Sequence, residues 1–326
     1  MEQRKIVLLD NTQLEIGMEL AEPLYNQQGL FVLKKGTVLN EKIISGLVLM
    51  DIKDIPVWQK VIKDSGDKLE FFQELYEKTD SLINSFWDDV KKSRKIDKNK
   101  ALGMTEEIFK NFLDHEEIIK YMEKAKQYNH SLNVALIAYM FTKWLNLSEN
   151  MEKELIFTAL VHDIGKLFLP PERQNEHTVL GARFMAQQGA SRAIQQGIQM
   201  HHAHEEDAVV SAEWWSIHPF AKIIAIADFY DHVINPEGEL QSKLQPFRFI
   251  VTLGNNYYGK FDIRYMELFL SKIAKSYMGH DVLLSDGRKG KIVFINPNAL
   301  ARPIVQTEEG LLDLYLENNL EINDVY

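Results

Sequence analysis

The chain has 326 residues, no cysteine, and a formal net charge of −10. Its balance of 45% hydrophobic and 26% charged residues is that of an ordinary globular protein and excludes a disordered, collagen-like or disulfide-stapled chain. Without cysteine, thiolate zinc sites, iron–sulfur clusters and cysteine nucleophiles are excluded too.

Residues 1–62 read as a small β-rich module. KIVLL and LFVL are short apolar runs separated by the turn formers Asp10, Asn11, Gly17, Asn26, Gly29 and Gly36. EKIISGLVLM reads as a short helix, and Val57-Trp58 as a closing strand.

Residues 63–110 read as a helical linker. Phe72, Leu75, Tyr76, Leu82, Ile83, Phe86, Trp87 and Val90 recur at helical spacing and predict a long amphipathic helix over 64–92. Its apolar stripe suits either its own bundle or a homodimer. Lys91, Lys92, Arg94, Lys95, Lys98 and Lys100 follow, either as a solvated helix end or as a phosphate patch.

Residues 111–277 read as a helical bundle. The segment NHSLNVALIAYMFTKWL is apolar on nearly every side and predicts a central buried helix. Gly165, Pro170-Pro171, Gly189 and Pro219 separate further helical segments. Residues 278–326 return to strand signals, with Asp286-Gly287 as the turn of a hairpin. The fold class is therefore mainly α: a helical bundle flanked by a β-rich module at the N-terminus and a small β hairpin module at the C-terminus.

The chemistry lies in the bundle. His130, His162, Asp163, His177, His201, His202 and Asp228 fall in or beside helical segments. Imidazole and carboxylate suit divalent first-row metals. Seven such groups are too many for one ion and suit two that share a carboxylate. Asp163, directly after His162 and with two oxygens, is the natural bridge. Two ions can polarise a phosphoryl group and hold a bridging hydroxide. Gly165 is expected to end the preceding helix in the left-handed conformation. That sets Lys166 one turn on, where it can meet a phosphate oxygen. His115, His218, His232 and His280 show no partner pattern, and His204 reads as surface.

At these residues the chain resembles the HD superfamily of metal-dependent phosphohydrolases, and within it the HD-GYP branch, whose members hydrolyse cyclic di-GMP. HSLNVA at 130–135, ALVHDIGK at 159–166, HTVLG at 177–181, HH at 201–202 and AKIIAIADFYD at 221–231 match its motifs in order. The resemblance implies metal ligands at His130, His162, Asp163, His177, His201, His202 and Asp228, with Lys166 facing substrate. It implies two divalent transition-metal ions, iron or manganese. The implied reaction is hydrolysis of a cyclic dinucleotide, cyclic di-GMP foremost, with catalysis by Asp163 and Lys166. The chain departs from the branch after the histidine pair, where HHAHEEDAVVSAEWWSIHPFAK lacks the glycine-tyrosine-proline triplet. The glutamate usual there is Ala203, and the proline after the third histidine is Thr178. VINPEGELQSK replaces an arginine-rich segment, and Lys126 stands where some members carry a third-metal glutamate. The alternatives are a hydrolase of another nucleotide and a catalytically degenerate signalling module that binds a nucleotide or protein partner. Neither DNA nor a membrane is expected as a partner, because the charge is acidic and no apolar run spans a bilayer. With no signal peptide, the expected location is the cytoplasm.

Overall fold

The computed structural model describes residues 4–326 except 12–13, 15–16, 27–29, 51, 61–64, 113–116, 124–127, 204–213, 236–244, 257–259 and 318. Lys126, His115 and His204 lie outside the described residues, as does part of the segment that replaces the arginine-rich stretch. The described residues are mainly helical, with small antiparallel sheets towards each terminus. The chain divides into two units, Met1–Glu70 and Phe71–Tyr326.

In the first unit, β1 (Arg4–Leu9) pairs antiparallel with β4 (Ile55–Lys60), and β2 (Leu24–Tyr25) with β3 (Phe31–Leu33). Helix α1 (Glu41–Leu49) starts at Asn40, whose side chain accepts the Ile43 N–H. Leu20, Leu24, Leu39, Leu47, Ile55 and Val57 form its core.

The second unit is a bundle joined to a sheet. Helix α2 (Ser65–Ser93) begins in the first unit and matches the helix expected over 64–92. Its stripe residues Phe72, Tyr76, Ile83, Phe86 and Val90 are buried in the core of the second unit. The stripe is thus covered by its own bundle and lends a homodimer no support. Of the basic run that follows, Lys100 pairs with Asp89. Helices α3 (Lys98–Asn111) and α4 (Ile118–Glu123) lead to α5 (His130–Trp144). Every residue of α5 from Leu132 to Thr142 is buried, so it is the central helix expected of an all-round apolar segment.

Around α5 pack α6 (Glu149–Leu160) and α9 (Pro219–Ile234), while α7 (His177–Gln187) and α8 (Arg192–Met200) pack on one another. Helices α10 (Pro246–Asn256) and α11 (Ile263–Ser276) complete the bundle. Buried Lys222 on α9 donates to Asp262, the N-cap of α11, at 2.9 Å.

The C-terminal strands are β5 (Asp281–Leu284), β6 (Lys289–Phe294), β7 (Ile304–Thr307), β8 (Gly310–Asp313) and β9 (Ile322–Val325). They form one antiparallel sheet in the order β8-β7-β6-β5-β9. The sheet extends the expected hairpin, whose turn holds Gly287 at a φ of +90°. Val282, Leu284, Ile292, Val305 and Ile322 join the same core as the helices. Among the described residues, no helix is long and apolar enough to cross a membrane.

Candidate metal centre

Each candidate side chain sits where a helix starts or stops, or faces inward from α9. His130 is the first residue of α5, behind the N-cap Asn129, whose side chain accepts the Leu132 N–H. His162 and Asp163 lie in the turn that follows α6. His177 opens α7, and His201 caps the C-terminus of α8 with His202 next to it. Asp228 is buried on α9.

The turn after α6 differs from the expectation. Helix α6 already ends at Leu160, and a short 3-10 turn runs from Ile164 to Phe168. Gly165 is not in the left-handed conformation. It is needed for close approach instead: a Cβ there would lie 2.0 Å from the His177 carbonyl oxygen and 2.8 Å from the Gly181 nitrogen. Glycine lets the backbone of α7 rest against the turn, and so brings His177 to Asp163.

The seven expected ligands converge in two groups. In the first, His130 Nε2 lies 3.0 Å from Asp228 Oδ1 and 3.3 Å from His162 Nε2. His162 Nε2 lies 3.5 Å from Asp228 Oδ1. In the second, His177 Nε2 lies 3.3 Å from His201 Nε2, and the His202 ring centroid is 4.2 Å from that of His201. Asp163 faces both: Oδ1 is 3.1 Å from His177 Nε2, and Oδ2 is 3.6 Å from His162 Nε2. Lys166 Nζ donates to Asp163 Oδ2 at 2.6 Å.

The hydrogen bonds behind the rings reveal what these groups lack. The Nδ1–H of His162 donates to the Ala159 carbonyl at 2.8 Å, that of His177 to Gln174 at 2.6 Å, and that of His201 to Ile198 at 2.7 Å. A carbonyl only accepts, so each Nδ1 carries a hydrogen. In the neutral rings each Nε2 is then a bare lone pair. Bare nitrogens at 3.3 Å repel one another unless a cation or proton lies between them. Asp163 Oδ1 is buried and accepts no hydrogen bond. Converging imidazole lone pairs, an orphaned carboxylate oxygen and outward-facing carbonyl acceptors fit a divalent metal.

The electrostatics agree. Burial, together with the neighbouring His202 and His162, holds His201 well below its usual range, so it is neutral. Burial also opposes a charge on His130. Its bonds to Asp228 and Asp231 outweigh that and raise it to about 10 in the metal-free protein. Burial disfavours ionised Asp163 and Asp228 as well, yet both lie well below the usual carboxylate range. For Asp163 the opposing effects come from His162, His177 and Lys166; for Asp228, from His130, His162 and His232.

Two residues escaped the sequence reading. His232 is grouped with His130 and Asp228, its Nδ1 3.3 Å from Asp228 Oδ1. The sequence shows no partner pattern for it, yet it stands one helical turn after Asp228, a spacing that puts two side chains on one face. Asp231 is fully buried and accepts the His130 Nδ1–H at 2.7 Å. Its spacing of three from Asp228 was the available signal.

Residues 127–232 match the family model described as HD domain. The match spans all seven expected ligands, and HD domains bind divalent metals. The chain is also 35% identical over 122 residues to a ribonuclease Y of Thermosipho melanesiensis, covering 35% of this chain and 21% of the relative. It is 22% identical over 250 residues to a cyclic di-GMP phosphodiesterase of Pseudomonas aeruginosa, covering 69% of this chain and 59% of the relative. The chain thus spans about a fifth and about three-fifths of these relatives' own lengths.

Proposed function

We propose that the chain is a cyclic-dinucleotide phosphodiesterase of the HD-GYP type, with cyclic di-GMP as its substrate. The observation that carries this reading is Asp163, whose two oxygens face two different groups of histidines. His130, His162 and Asp228 would hold one divalent ion with Asp163 Oδ2, and His177, His201 and His202 a second with Oδ1. The resemblance to the HD-GYP branch favours iron or manganese, whereas imidazole and carboxylate by themselves accept most divalent first-row ions. Such ions, when bound, polarise phosphoryl oxygens and lower the pKa of water.

The chain's own groups have distinct tasks. The carbonyls of Ala159, Gln174 and Ile198 fix the histidine rings by accepting their Nδ1–H groups. Lys166 is 40% exposed at its side chain, so its ammonium can meet both Asp163 and a phosphate oxygen. There it offsets the negative charge that grows on the phosphoryl group. Hydrolysis adds water across one phosphorus–oxygen bond, and the departing ribose oxygen takes up a proton. The likeness to a cyclic di-GMP phosphodiesterase supports the substrate class. The likeness to a ribonuclease makes an RNA phosphodiester the next substrate to try, although the net charge of −10 disfavours a long polyanion. A second reading, a degenerate module that binds a nucleotide without cleaving it, is favoured by the missing glycine-tyrosine-proline triplet and by Ala203.

The test combines elemental analysis of protein purified without chelator with incubation of the same sample with cyclic di-GMP. Two transition ions per chain, with linear dinucleotide or GMP formed, are expected. Two ions without product would leave the centre and move the search to other nucleotides, RNA oligomers and binding. No metal after reconstitution with iron or manganese would sink the enzyme reading.

A further inference from the structure

Behind the metal centre runs a buried polar chain that the reaction itself does not use. Asp231, fully buried on α9, accepts four hydrogen bonds. The His130 Nδ1–H and the Tyr128 hydroxyl donate to its Oδ2 at 2.7 and 2.8 Å. The amides of Asn133 and Asn235 donate to its Oδ1 at 2.7 and 2.9 Å. The chain then continues away from the centre. Tyr76 on α2 donates its hydroxyl to Asn133 Oδ1 at 2.7 Å, and that hydroxyl accepts the Asn129 N–H at 2.9 Å. One turn on, Asp80 accepts the Asn129 side-chain amide at 2.6 Å. Helix α2 thus grips both asparagines that flank His130 at the start of α5.

Tyr76, Asn133 and Asp231 are all buried, at 1%, 3% and 0% exposure. Polar groups this deep are costly unless satisfied, and a fully satisfied network holds one arrangement. Movement of α2 that breaks the Tyr76–Asn133 bond leaves the buried Asn133 amide oxygen without its donor, on the same side chain whose amide nitrogen donates to Asp231, the residue that orients the His130 ring.

We propose that Asp231 is a positioning residue for His130, and that Tyr76, acting through Asn133, makes the metal affinity of the centre depend on helix α2. The inference rests on the metal-centre reading above.

The test is cobalt(II) titration of the chelator-stripped full chain, followed by visible absorption, for the wild type, Asp231→Asn and Tyr76→Phe, with a melting temperature for each. Asp231→Asn is expected to weaken one cobalt(II) ion by about 10–100-fold, the usual effect of losing an outer-shell partner. The other ion should stay within about threefold. Tyr76→Phe should weaken that same ion, nearer to the lower end of that range. A folded Asp231→Asn variant that binds both ions as tightly as wild type overturns the positioning role, and an unchanged Tyr76→Phe overturns the link to α2. Equal weakening of both ions with a lower melting temperature marks a merely structural role and overturns the proposal too. If Asp231→Asn does not fold, histidine nitrogen NMR of the wild type decides. His130 must keep its hydrogen on Nδ1 and bind added zinc(II) through Nε2; the reverse overturns the proposal. A wild type that takes up no cobalt(II) removes the metal-centre reading itself, an outcome distinct from normal wild-type binding with unaffected variants.

Discussion

Asp163 concentrates the proposed chemistry in one side chain. One oxygen takes the Lys166 ammonium and faces His162, and the other is buried without a hydrogen-bond donor. Replacing Asp163 with asparagine keeps the shape but removes the charge that two cations would share. Turnover is expected to fall by at least about 100-fold, roughly 2.7 kcal/mol in the barrier, with the far-UV circular dichroism unchanged. A variant that keeps its activity would remove Asp163 from the chemistry. Mere loss of melting temperature, with metal still bound and no wild-type activity to lose, would favour the degenerate module. His130 supplies a pH prediction at the same scale. Its folded pKa of about 10 lies above the ordinary 6.5. A raised pKa stabilises the metal-free protein fully below about 6.5, and that contribution fades as pH rises through about 10. Metal needs the same nitrogen without its proton, so apparent affinity should climb with pH across that window. Thermal melts and metal titrations at several pH values check both slopes, which have opposite signs.

At the scale of elements, the centre depends on how closely the turn after α6 meets α7. Gly165→Ala places a Cβ 2.0 Å from the His177 carbonyl oxygen, a backbone atom that cannot rotate away. The variant is expected to lose about 1–3 kcal/mol or more by overpacking, and to lose metal at the His177 group before the His130 group. Differential melting with and without metal tests this. An alanine variant of wild-type stability would mean that α7 can shift without cost. Loss of the Asn129 cap acts on the other group. Asn129→Ala removes the acceptor for the Leu132 N–H and the link to Asp80. A lost cap costs about 0.5–2 kcal/mol, and here it should also weaken metal held by His130, read in the same melts.

At the scale of the molecule, the C-terminal sheet is part of the bundle's core. Val282, Leu284, Ile292, Ile295, Val305, Leu314 and Ile322 are buried in one cluster with the helices. A buried aliphatic side chain contributes about 1.5–3 kcal/mol, and a domain's whole net stability is about 5–15 kcal/mol. A chain ending at Met278 bares the helical surface that these residues cover. It is expected to aggregate or to melt far below the full chain. A truncated chain that keeps the full-length melting temperature would show the sheet to be dispensable. The first unit has its own core around Leu20, Leu39 and Val57, so the sheet and the N-terminal module differ in this respect.

Local pattern is a direct consequence of sequence, and the elements that depend on it were legible there. The helical period from Phe72 to Val90, the all-round apolar α5 and the Asp286-Gly287 turn each follow from side chains within a few residues of one another. The seven candidate ligands were legible as an ordered set that resembles the HD motifs, and His162, Asp163 and Asp228 also because a polar side chain in an apolar run such as IIAIADFYDHVI or ALVHD needs a partner. What the linear pattern does not carry is which partners meet. Asp231 and Tyr76 read as ordinary members of amphipathic helices until α2, α5 and α9 pack together and join them through Asn133. His232 gains meaning only beside His130, and Gly165 serves a contact with α7 rather than the end of α6. Burial and periodicity are properties of neighbours along the chain. Hydrogen bonding and close approach between elements are set by their packing, and so the tertiary structure alone decided them.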